Sequence, residues 1–348
     1  MTHIFNRIRN LTFIASAILL ASLLLISCST LKTSMSASSK WQNGELPVDS
    51  AAYKDVVYKT VDGRTLELDI YMPHYIKAGT KVPVLMYVHG GAWVWGNKTA
   101  IRYTFRQYIM RQLLNSGIAI ASIDYRLVDS TSVHLAQQIS DCKDAVRWMR
   151  LHGSEYGIDS DNIGIAGASA GGHLALMTGF TNDSEFVGDA ALSGVSAKVN
   201  YIVDYFGPTD MNATYHCNLN ALFLSILRHK MPDLYKTRND QLYRLSGYDV
   251  EKQKKQVVEE CKKCSPISYV SAKCPPVIIL HGTGDRLVNF NQSVDLQKRL
   301  KKAGVECELI RYPGLEHSFP NATKAQAEDI ATQTQRFIHT HTNVAINK

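Results

Sequence analysis

Residues 163–178 read IGIAGASAGGHLALMT, and the order of apolar and small residues in them predicts a strand, a tight turn and a helix. The apolar run from Ile163 to Ala166 predicts a short buried strand, and residues 172–178 predict a helix. Between them lies Gly167-Ala168-Ser169-Ala170-Gly171. Glycines two positions before and after the serine allow a sharp strand-to-helix turn that projects the hydroxyl out of the sheet, where a base reaches it. The sequence therefore predicts that Ser169 is a nucleophile.

A second motif, His89-Gly90-Gly91-Ala92-Trp93, closes the apolar run from Val82 to Val88. Small residues at the end of a strand let backbone N–H groups face a developing oxyanion, and donors of this kind each lower a barrier by roughly 3–4 kcal/mol. Glycine pairs also make plain turns, which is the alternative interpretation. We expect an oxyanion hole built from the amides of Gly90, Gly91, Ala92 and Ala170.

Two later motifs supply an acid and a base. Asp285 follows the apolar residues Val277 to Leu280, and His317 lies in the loop after the next predicted strand. The order serine, aspartate, histidine is the one expected when each residue ends a successive strand. His281 is an alternative base, but its position at the end of the strand favours a packing role. Glu316 is an alternative acid, but it is adjacent to His317, and neighbouring side chains in a loop seldom face one another. The predicted catalytic residues are Ser169, Asp285 and His317.

Apolar runs and helical patterns alternate along the chain. Continuous apolar runs, typical of strands covered on both faces, occur at Val82–Val88, Ile118–Ile123, Ile163–Ala166, Tyr201–Phe206 and Val277–Leu280. Helical spacings occur over 135–149, 292–303 and 325–339. This order predicts an α/β fold with a mostly parallel, doubly wound sheet, whose functional groups lie at the carboxyl ends of the strands.

Two segments depart from this alternation. Residues 55–72 alternate apolar and polar side chains around Val61-Asp62-Gly63, which predicts an N-terminal antiparallel hairpin. The segment from Met211 to Lys263 lacks a strand pattern but contains a helical apolar run, Leu219 to Leu227. We interpret residues 211–263 as a cap or lid insertion over the site. The alternative is a set of surface helices away from the site.

Taken together, these motifs resemble the esterase and lipase branch of the α/β hydrolases. The matching stretches are HGGAW at 89–93, DYRL at 124–127, GASAGG at 167–172, YFGPTD at 205–210, HGTGD at 281–285 and PGLEHSF at 313–319. The similarity spans about Tyr53 to His339, and it is particularly clear to hormone-sensitive-lipase-like carboxylesterases and to bacterial feruloyl or acetyl esterases. Ala92 departs from the pattern, since many relatives carry a third glycine there. Versions with HGG-x-W include kynurenine formamidases.

The resemblance implies the α/β-hydrolase fold and a serine carboxylesterase that acts through an acyl-enzyme, with neither a metal nor an organic cofactor. Its substrate would be a short-acyl or aryl ester, a small molecule or a polysaccharide that carries acetyl or feruloyl groups. One alternative is an amide hydrolase, formamidase-like or a peptidase. The other is a non-catalytic lipoprotein that binds a ligand.

The N-terminus is typical of an export signal. Arg7 and Arg9 precede an uncharged, mostly apolar run from Leu11 to Ile26, which is short for a membrane-spanning helix of about 20 residues. Leu25-Ile26-Ser27-Cys28 resembles the lipobox of bacterial lipoproteins, in which the cysteine becomes the lipidated first residue. The alternative is a plain signal peptide with an incidental cysteine.

This pattern predicts a lipoprotein signal peptide over 1–27, lipid on Cys28, a tether over 28–50 rich in serine and threonine, and a hydrolase domain over 51–348. The expected location is the outer membrane of a bacterium, held by the lipid. Polar residues and lysines after Cys28, without an acidic cluster, favour its periplasmic face over the cell surface.

The charge and the cysteines restrict the other possible partners. The formal charge is +7, and the run from Lys252 to Lys263 lacks interleaved aromatic residues, so the lysines predict a solvated surface rather than a nucleic-acid site. Cys261-x-x-Cys264 is the only metal-like or redox-like spacing, and no second pair completes a zinc site, so we expect no metal. Disulfides or free thiols remain open for Cys142, Cys217, Cys261, Cys264, Cys274 and Cys307.

Overall fold

A computed structural model describes residues 50–342, so the predicted signal peptide, the predicted lipidation site Cys28 and nearly all of the predicted tether lie outside the described residues. In the described part of the chain, eight strands form one sheet. The strands are β1 (Tyr53–Val61), β2 (Arg64–Tyr71), β3 (Val82–Val88), β4 (Ala119–Ile123), β5 (Ile158–Ala168), β6 (Ile202–Tyr205), β7 (Val277–Gly282) and β8 (Cys307–Tyr312). None of the helices between residues 50 and 342 has the length and apolarity to cross a bilayer.

The sheet is antiparallel at one edge and parallel elsewhere. Its order is β1-β2-β4-β3-β5-β6-β7-β8, and β2 pairs antiparallel with both β1 and β4. All pairs from β4 to β8 are parallel. The predicted hairpin and the predicted mostly parallel sheet are therefore confirmed. The strand order reverses around β3, and such a switch point is where open α/β sheets bind ligands beyond their carboxyl ends.

Helices cover both faces of the sheet. They are α1 (Arg106–Asn115), α2 (Leu135–His152), α3 (Ala170–Phe180), α4 (Met211–Thr214), α5 (Ala221–Lys230), α6 (Pro232–Ser246), α7 (Lys254–Lys263), α8 (Asn291–Lys302) and α9 (Lys324–His341). Alternate residues of β3 point to opposite sides, as strand geometry requires. Val84, Met86 and Val88 join the core under α2, α3 and α8, whereas Leu85 and Tyr87 join the core under α1 and α9.

The insertion over 211–263 consists of helices α4 to α7. It contacts the body of the domain near the carboxyl ends of the strands, since the ring centroids of Tyr215 and Trp93 are 6.3 Å apart. Nδ1 of His134, just before α2, lies 2.6 Å from the carbonyl oxygen of Arg244 in α6. These contacts place the insertion on the side of the sheet predicted to carry the site. Its role as a lid stays a prediction.

A buried ion network connects β1, α2 and the segment after β4. Nζ of Lys59 lies 2.7 Å from an oxygen of Asp141 and 2.7 Å from one of Asp144, and both carboxylates are fully buried. Arg126 donates to both oxygens of Asp141, at 2.8 Å each. Because each buried charge faces opposite charges, the network is compensated. Through Arg126, the network holds the segment that contains Tyr125, a residue that contacts the candidate site described below.

The cysteines of the described region are free and buried. Cys261 and Cys264 form no disulfide with each other, and the Sγ atoms of Cys217 and Cys261 are 3.8 Å apart. Among residues 50–342, no cluster of three or more histidine, cysteine, aspartate or glutamate side chains is arranged to hold a metal ion. The thiols of this part of the chain are thus core side chains.

Candidate active site

Ser169 occupies the predicted turn between β5 and α3. Its backbone has φ 57° and ψ −120°, a conformation that non-glycine residues rarely adopt and that costs of order 1–3 kcal/mol. The Ser169 N–H donates to the carbonyl of Tyr205 on β6 at 2.9 Å, which holds the turn against the sheet. The side chain is half-buried at the carboxyl edge. The strand-turn-helix context predicted for the nucleophile is therefore present.

The glycines around the turn allow two backbone segments to touch. A Cβ atom on Gly171 would lie 2.1 Å from the carbonyl oxygen of Val88 on β3. A Cβ atom on Gly167 would lie 2.2 Å from the carbonyl oxygen of Gly171. Contacts this short exclude any side chain, so the turn can form only with glycine at both positions.

The structure brings the three predicted catalytic side chains together. Ser169 Oγ lies 2.9 Å from His317 Nε2, and His317 Nδ1 lies 2.7 Å from Asp285 Oδ2. His317 and Asp285 are almost completely buried. Because an ionised carboxylate only accepts, Nδ1 of His317 carries the hydrogen, and the Nε2 lone pair faces the serine hydroxyl. This is the geometry of a nucleophile, a base and a residue that orients the base.

The Asp285 carboxylate is saturated with donors. Its Oδ1 accepts from the N–H groups of Leu287 and Val288, each at 2.8 Å. Its Oδ2 accepts from His317 and also lies 3.0 Å from Nε2 of His281. Burial would raise the pKa of Asp285, but the charge of His317 and the hydrogen bonds from both histidines outweigh it and hold the pKa well below its ordinary value. The acid is therefore an anion.

The predicted oxyanion motif lies directly beside the nucleophile. Strands β3 and β5 pair with Val88 opposite Gly167, so the residues after each strand are neighbours. A Cβ atom on Gly90 would lie 2.7 Å from the carbonyl oxygen of Ala168 and 3.5 Å from Cβ of Ser169. Ala170 is the first residue of α3, and the first N–H groups of a helix have no partner within the helix. Gly90 and Ala170 thus lie next to Ser169, and their role as oxyanion donors stays a prediction.

The loop after Gly90 turns sharply. Gly91 has φ 128°, and a Cβ atom on it would lie 1.9 Å from the carbonyl oxygen of Trp95. Ala92 and Trp93 follow with φ 48° and 65°. Ala92 thus adopts the left-handed conformation that glycine would adopt at lower cost, which gives a physical reason for the glycine that many relatives carry there.

The sequence matches two known protein families over most of the described residues. Residues 68–300 match the BD-FAE family, and residues 261–341 match the dienelactone hydrolase family. The chain belongs to the BD-FAE family.

Individual relatives of this BD-FAE chain are esterases. A probable carboxylic ester hydrolase of Mycobacterium tuberculosis, LipM, is 30% identical over 280 residues, which cover 79% of this chain and 58% of the relative. The esterase LipQ of the same organism is 28% identical, with 79% and 59% covered. The chain thus spans less than three fifths of the length of these curated relatives.

The fold of the chain is likewise that of solved α/β-hydrolase esterases. The native structure of esterase 2 from Thermogutta terrifontis superimposes with a TM-score of 0.65 at 27% identity, covering 87% of this chain and 96% of that chain. The α/β-hydrolase fold expected from the sequence is confirmed.

Two aromatic side chains of the BD-FAE chain support residues 89–93, the predicted oxyanion loop (called the oxyanion loop below), and the sequence motifs revealed neither role. The Tyr125 hydroxyl donates to the carbonyl of His89 at 2.8 Å, and its ring stacks on that of His89 with centroids 4.2 Å apart. Trp93 Nε1 donates to Nδ1 of His173 at 3.1 Å. Both residues stand inside the quoted motifs DYRL and HGGAW, but a motif does not say what its members touch.

His173 connects this loop to the insertion. Its Nε2 lies 2.7 Å from the carbonyl oxygen of Cys264, at the end of α7. Burial lowers the pKa of His173 to about 4, so the ring is neutral, with Nδ1 accepting from Trp93 and Nε2 donating to Cys264. The oxyanion loop, the nucleophile helix and the insertion are thus joined through one buried imidazole.

The structure extends the packing role that the sequence assigned to His281. The ring is fully buried, as expected, but it also lies within hydrogen-bonding distance of the acid at Asp285. The imidazole that meets Ser169 Oγ belongs to His317, not to His281. The sequence did hold a signal for this contact. His281 and Asp285 are only four residues apart in HGTGD, so both side chains lie near the end of the same strand.

Asp204 on β6 is a second buried carboxyl group, next to the nucleophile turn. Its Oδ1 accepts from the Gly207 N–H at 2.9 Å, whereas its Oδ2 has no hydrogen-bond partner among the described residues. Burial raises the pKa of Asp204 to about 8, against the weaker effect of the Gly207 N–H. The carboxyl group is therefore protonated at neutral pH.

We predict that Asp204→Asn removes a pH dependence of stability. The unfolded carboxyl group titrates near pH 4, so between about pH 4 and pH 8 the folded state holds a proton that the unfolded state has lost. The free energy of unfolding of the wild type should consequently fall as pH rises through this window. The asparagine variant should match the wild type near pH 4 and exceed it increasingly toward pH 8. Urea denaturation at several pH values measures this, and parallel curves for the two proteins would contradict it.

Proposed function

We propose that this protein is a serine carboxylesterase that hydrolyses short-acyl or aryl esters, with Ser169 as nucleophile. The observation that carries the proposal is the continuous hydrogen-bonded path from Ser169 Oγ through His317 to Asp285. A serine hydroxyl is a weak nucleophile unless a base accepts its proton, and this path supplies one. The position of the path at the carboxyl ends of β5, β7 and β8 supports the same conclusion.

The mechanism follows from the geometry. His317 Nε2 takes the hydroxyl proton as Ser169 Oγ attacks the ester carbonyl, and Asp285 stabilises the resulting imidazolium. The amides of Gly90, Gly91, Ala92 and Ala170 are the proposed donors to the tetrahedral oxyanion. Collapse expels the alcohol, which receives its proton from His317. Water then attacks the acyl-enzyme with His317 again as base, and the acid is released.

The relatives support the ester class and a short acyl group. Thermogutta terrifontis esterase 2 has been solved with propionate and with butyrate bound, and also phosphorylated by paraoxon. Those ligands are known for that esterase. The related fold and the hydrogen bonds that join Ser169, His317 and Asp285 in this chain are our reasons for extending short-acyl specificity and organophosphate reactivity to it.

We predict that Ser169→Ala abolishes hydrolysis of p-nitrophenyl butyrate, with kcat at least about 10⁴-fold lower. The fold should be unchanged, because the turn depends on the flanking glycines rather than on the hydroxyl. A fluorophosphonate probe should label the wild type at Ser169 and leave the variant unlabelled. Ser193→Ala, at an exposed serine, is the matched control and should retain full activity. Hydrolysis or labelling that survives in Ser169→Ala would refute the assignment.

The finer substrate proposal is an acetylated or feruloylated polysaccharide, processed by an exported enzyme anchored through Cys28. It is supported by the signal-like residues 1–27 and by the resemblance to feruloyl and acetyl esterases. Helices α4 to α7 would then cover the site as a lid. Metabolic incorporation of a palmitate analogue into the full chain, compared with Cys28→Ser, tests the anchor: equal labelling of both would contradict it.

A comparison of substrates tests the chemical class. We expect release of acetate from acetylated xylan or of ferulate from feruloylated arabinoxylan, and p-nitrophenyl ester rates that fall beyond short acyl chains. N-formylkynurenine and a peptide p-nitroanilide, which probe the amide-hydrolase alternatives, should be turned over at least about tenfold more slowly. Faster turnover of either amide would overturn the ester assignment. The Ser169→Ala protein supplies the background rate for each substrate.

A further inference from the structure

We propose that His281 is a positioning residue, whose Nε2–H holds Asp285 Oδ2 in the orientation that receives His317. The proposal rests on the proposed function, because it concerns the same three side chains. His281 lies on β7, four residues before the acid. It would act through Asp285 and would contact neither the substrate nor the reacting atoms.

The contacts of His281 determine its tautomer. Nε2 lies 3.0 Å from Asp285 Oδ2 and 3.2 Å from the carbonyl oxygen of Val288, and both atoms only accept hydrogen bonds. Nε2 therefore carries a hydrogen. Nδ1 lies 2.7 Å from Oγ of Ser293 on α8, and in the neutral ring it accepts from that hydroxyl. Ser293 thus stabilises the tautomer that donates to the acid.

The donors around Asp285 come from two different places. Oδ1 is held by the N–H groups of Leu287 and Val288, which belong to the loop that carries the acid. His281, in contrast, belongs to a strand paired on both sides, and the strand pairing places it opposite Arg311 on β8. Of the two donors to Oδ2, His281 is therefore the one fixed to the sheet. It ties the loop to a rigid element, which precise site geometry requires.

Burial increases the importance of the hydrogen bond between His281 and Asp285. The side chains of His281 and Asp285 are both fully buried, so water does not replace a lost donor at Oδ2. A carboxylate that loses the His281 donor is held less firmly in the orientation that faces His317, and a misplacement of about 1 Å costs roughly 10²-fold in rate. The hydrogen bond from His281 also helps keep the pKa of Asp285 low, which preserves the charge that faces His317.

The His281 ring also packs against aromatic side chains, which is a structural role distinct from hydrogen bonding to Asp285. The ring of His281 packs edge-to-face on Phe290, with centroids 5.4 Å apart, and lies 6.4 Å from Phe206. Phe206 in turn contacts the ring of His317 at 5.0 Å. Loss of the imidazole would thus disturb the packing next to the base even if its N–H were unimportant.

The test compares His281→Gln with His281→Met. The two side chains are similar in length and shape, and both remove the aromatic ring, but only glutamine retains an N–H donor for Asp285 Oδ2. We expect kcat for p-nitrophenyl butyrate to fall about 10²-fold in the methionine variant and to stay within about tenfold of the wild type in the glutamine variant. KM should change less than twofold in both.

A spectroscopic measurement on the folded variants tests the contact between His317 and Asp285 independently of the rate. The proton resonance of His317 Nδ1–H should be present at its wild-type position in His281→Gln, and shifted or lost in His281→Met. Equal kcat values for the glutamine and methionine variants, or an unchanged resonance in His281→Met, would overturn the proposal. A wild-type protein that neither hydrolyses the ester nor reacts with the fluorophosphonate probe would instead refute the proposed function.

Discussion

The site depends on the close approach of two backbone segments at the carboxyl ends of β3 and β5. The carbonyl oxygen of Val88 occupies the space where a side chain on Gly171 would be, and Gly90 passes against the carbonyl of Ala168. This backbone contact places the oxyanion loop beside Ser169, and the side chains of Tyr125 and Trp93 support it there. Backbone groups fixed in this way do not reorganise as charge develops, which is the basis of electrostatic preorganisation.

Two buried carboxyl groups at neighbouring strands show how the surroundings decide protonation. Asp285 has four donors, and its pKa lies well below the ordinary value, so the carboxylate keeps its charge. Asp204 has one donor and a pKa of about 8, so it is neutral at pH 7. The charge is thus present only where it orients His317, and the neighbouring group adds no competing negative charge to the site at that pH.

The patterns that predicted the fold were those in which side-chain period follows directly from backbone geometry. The run Val82–Val88 coincides with β3, whereas β5 begins at Ile158, five residues before the predicted Ile163, because the polar residues Asp159 to Asn162 hide its first part. Helix α1 was not singled out at all. The start of β5 lies alongside β3, where Val82 pairs with Ile158. This part of the strand is formed by pairing with β3, and its residues show no apolar run in the sequence.

Two features could be recognised in the amino-acid sequence: the chain order of the nucleophile, acid and base, and the small residues that let backbone segments touch. Both depend on local spacing and on the absence of a Cβ atom. In contrast, the contacts between these side chains could be seen only in the folded structure. Ser169 and His317 are 148 residues apart in sequence, and Asp285 and His317 are 32 apart. Their side-chain atoms come within 2.9 Å and 2.7 Å of each other only because the strands that carry them are aligned in the sheet. The second imidazole at Asp285, the stacking of Tyr125 on His89 and the link from Trp93 to His173 also arise there, since local spacing carries no information about partners contributed by distant strands and helices.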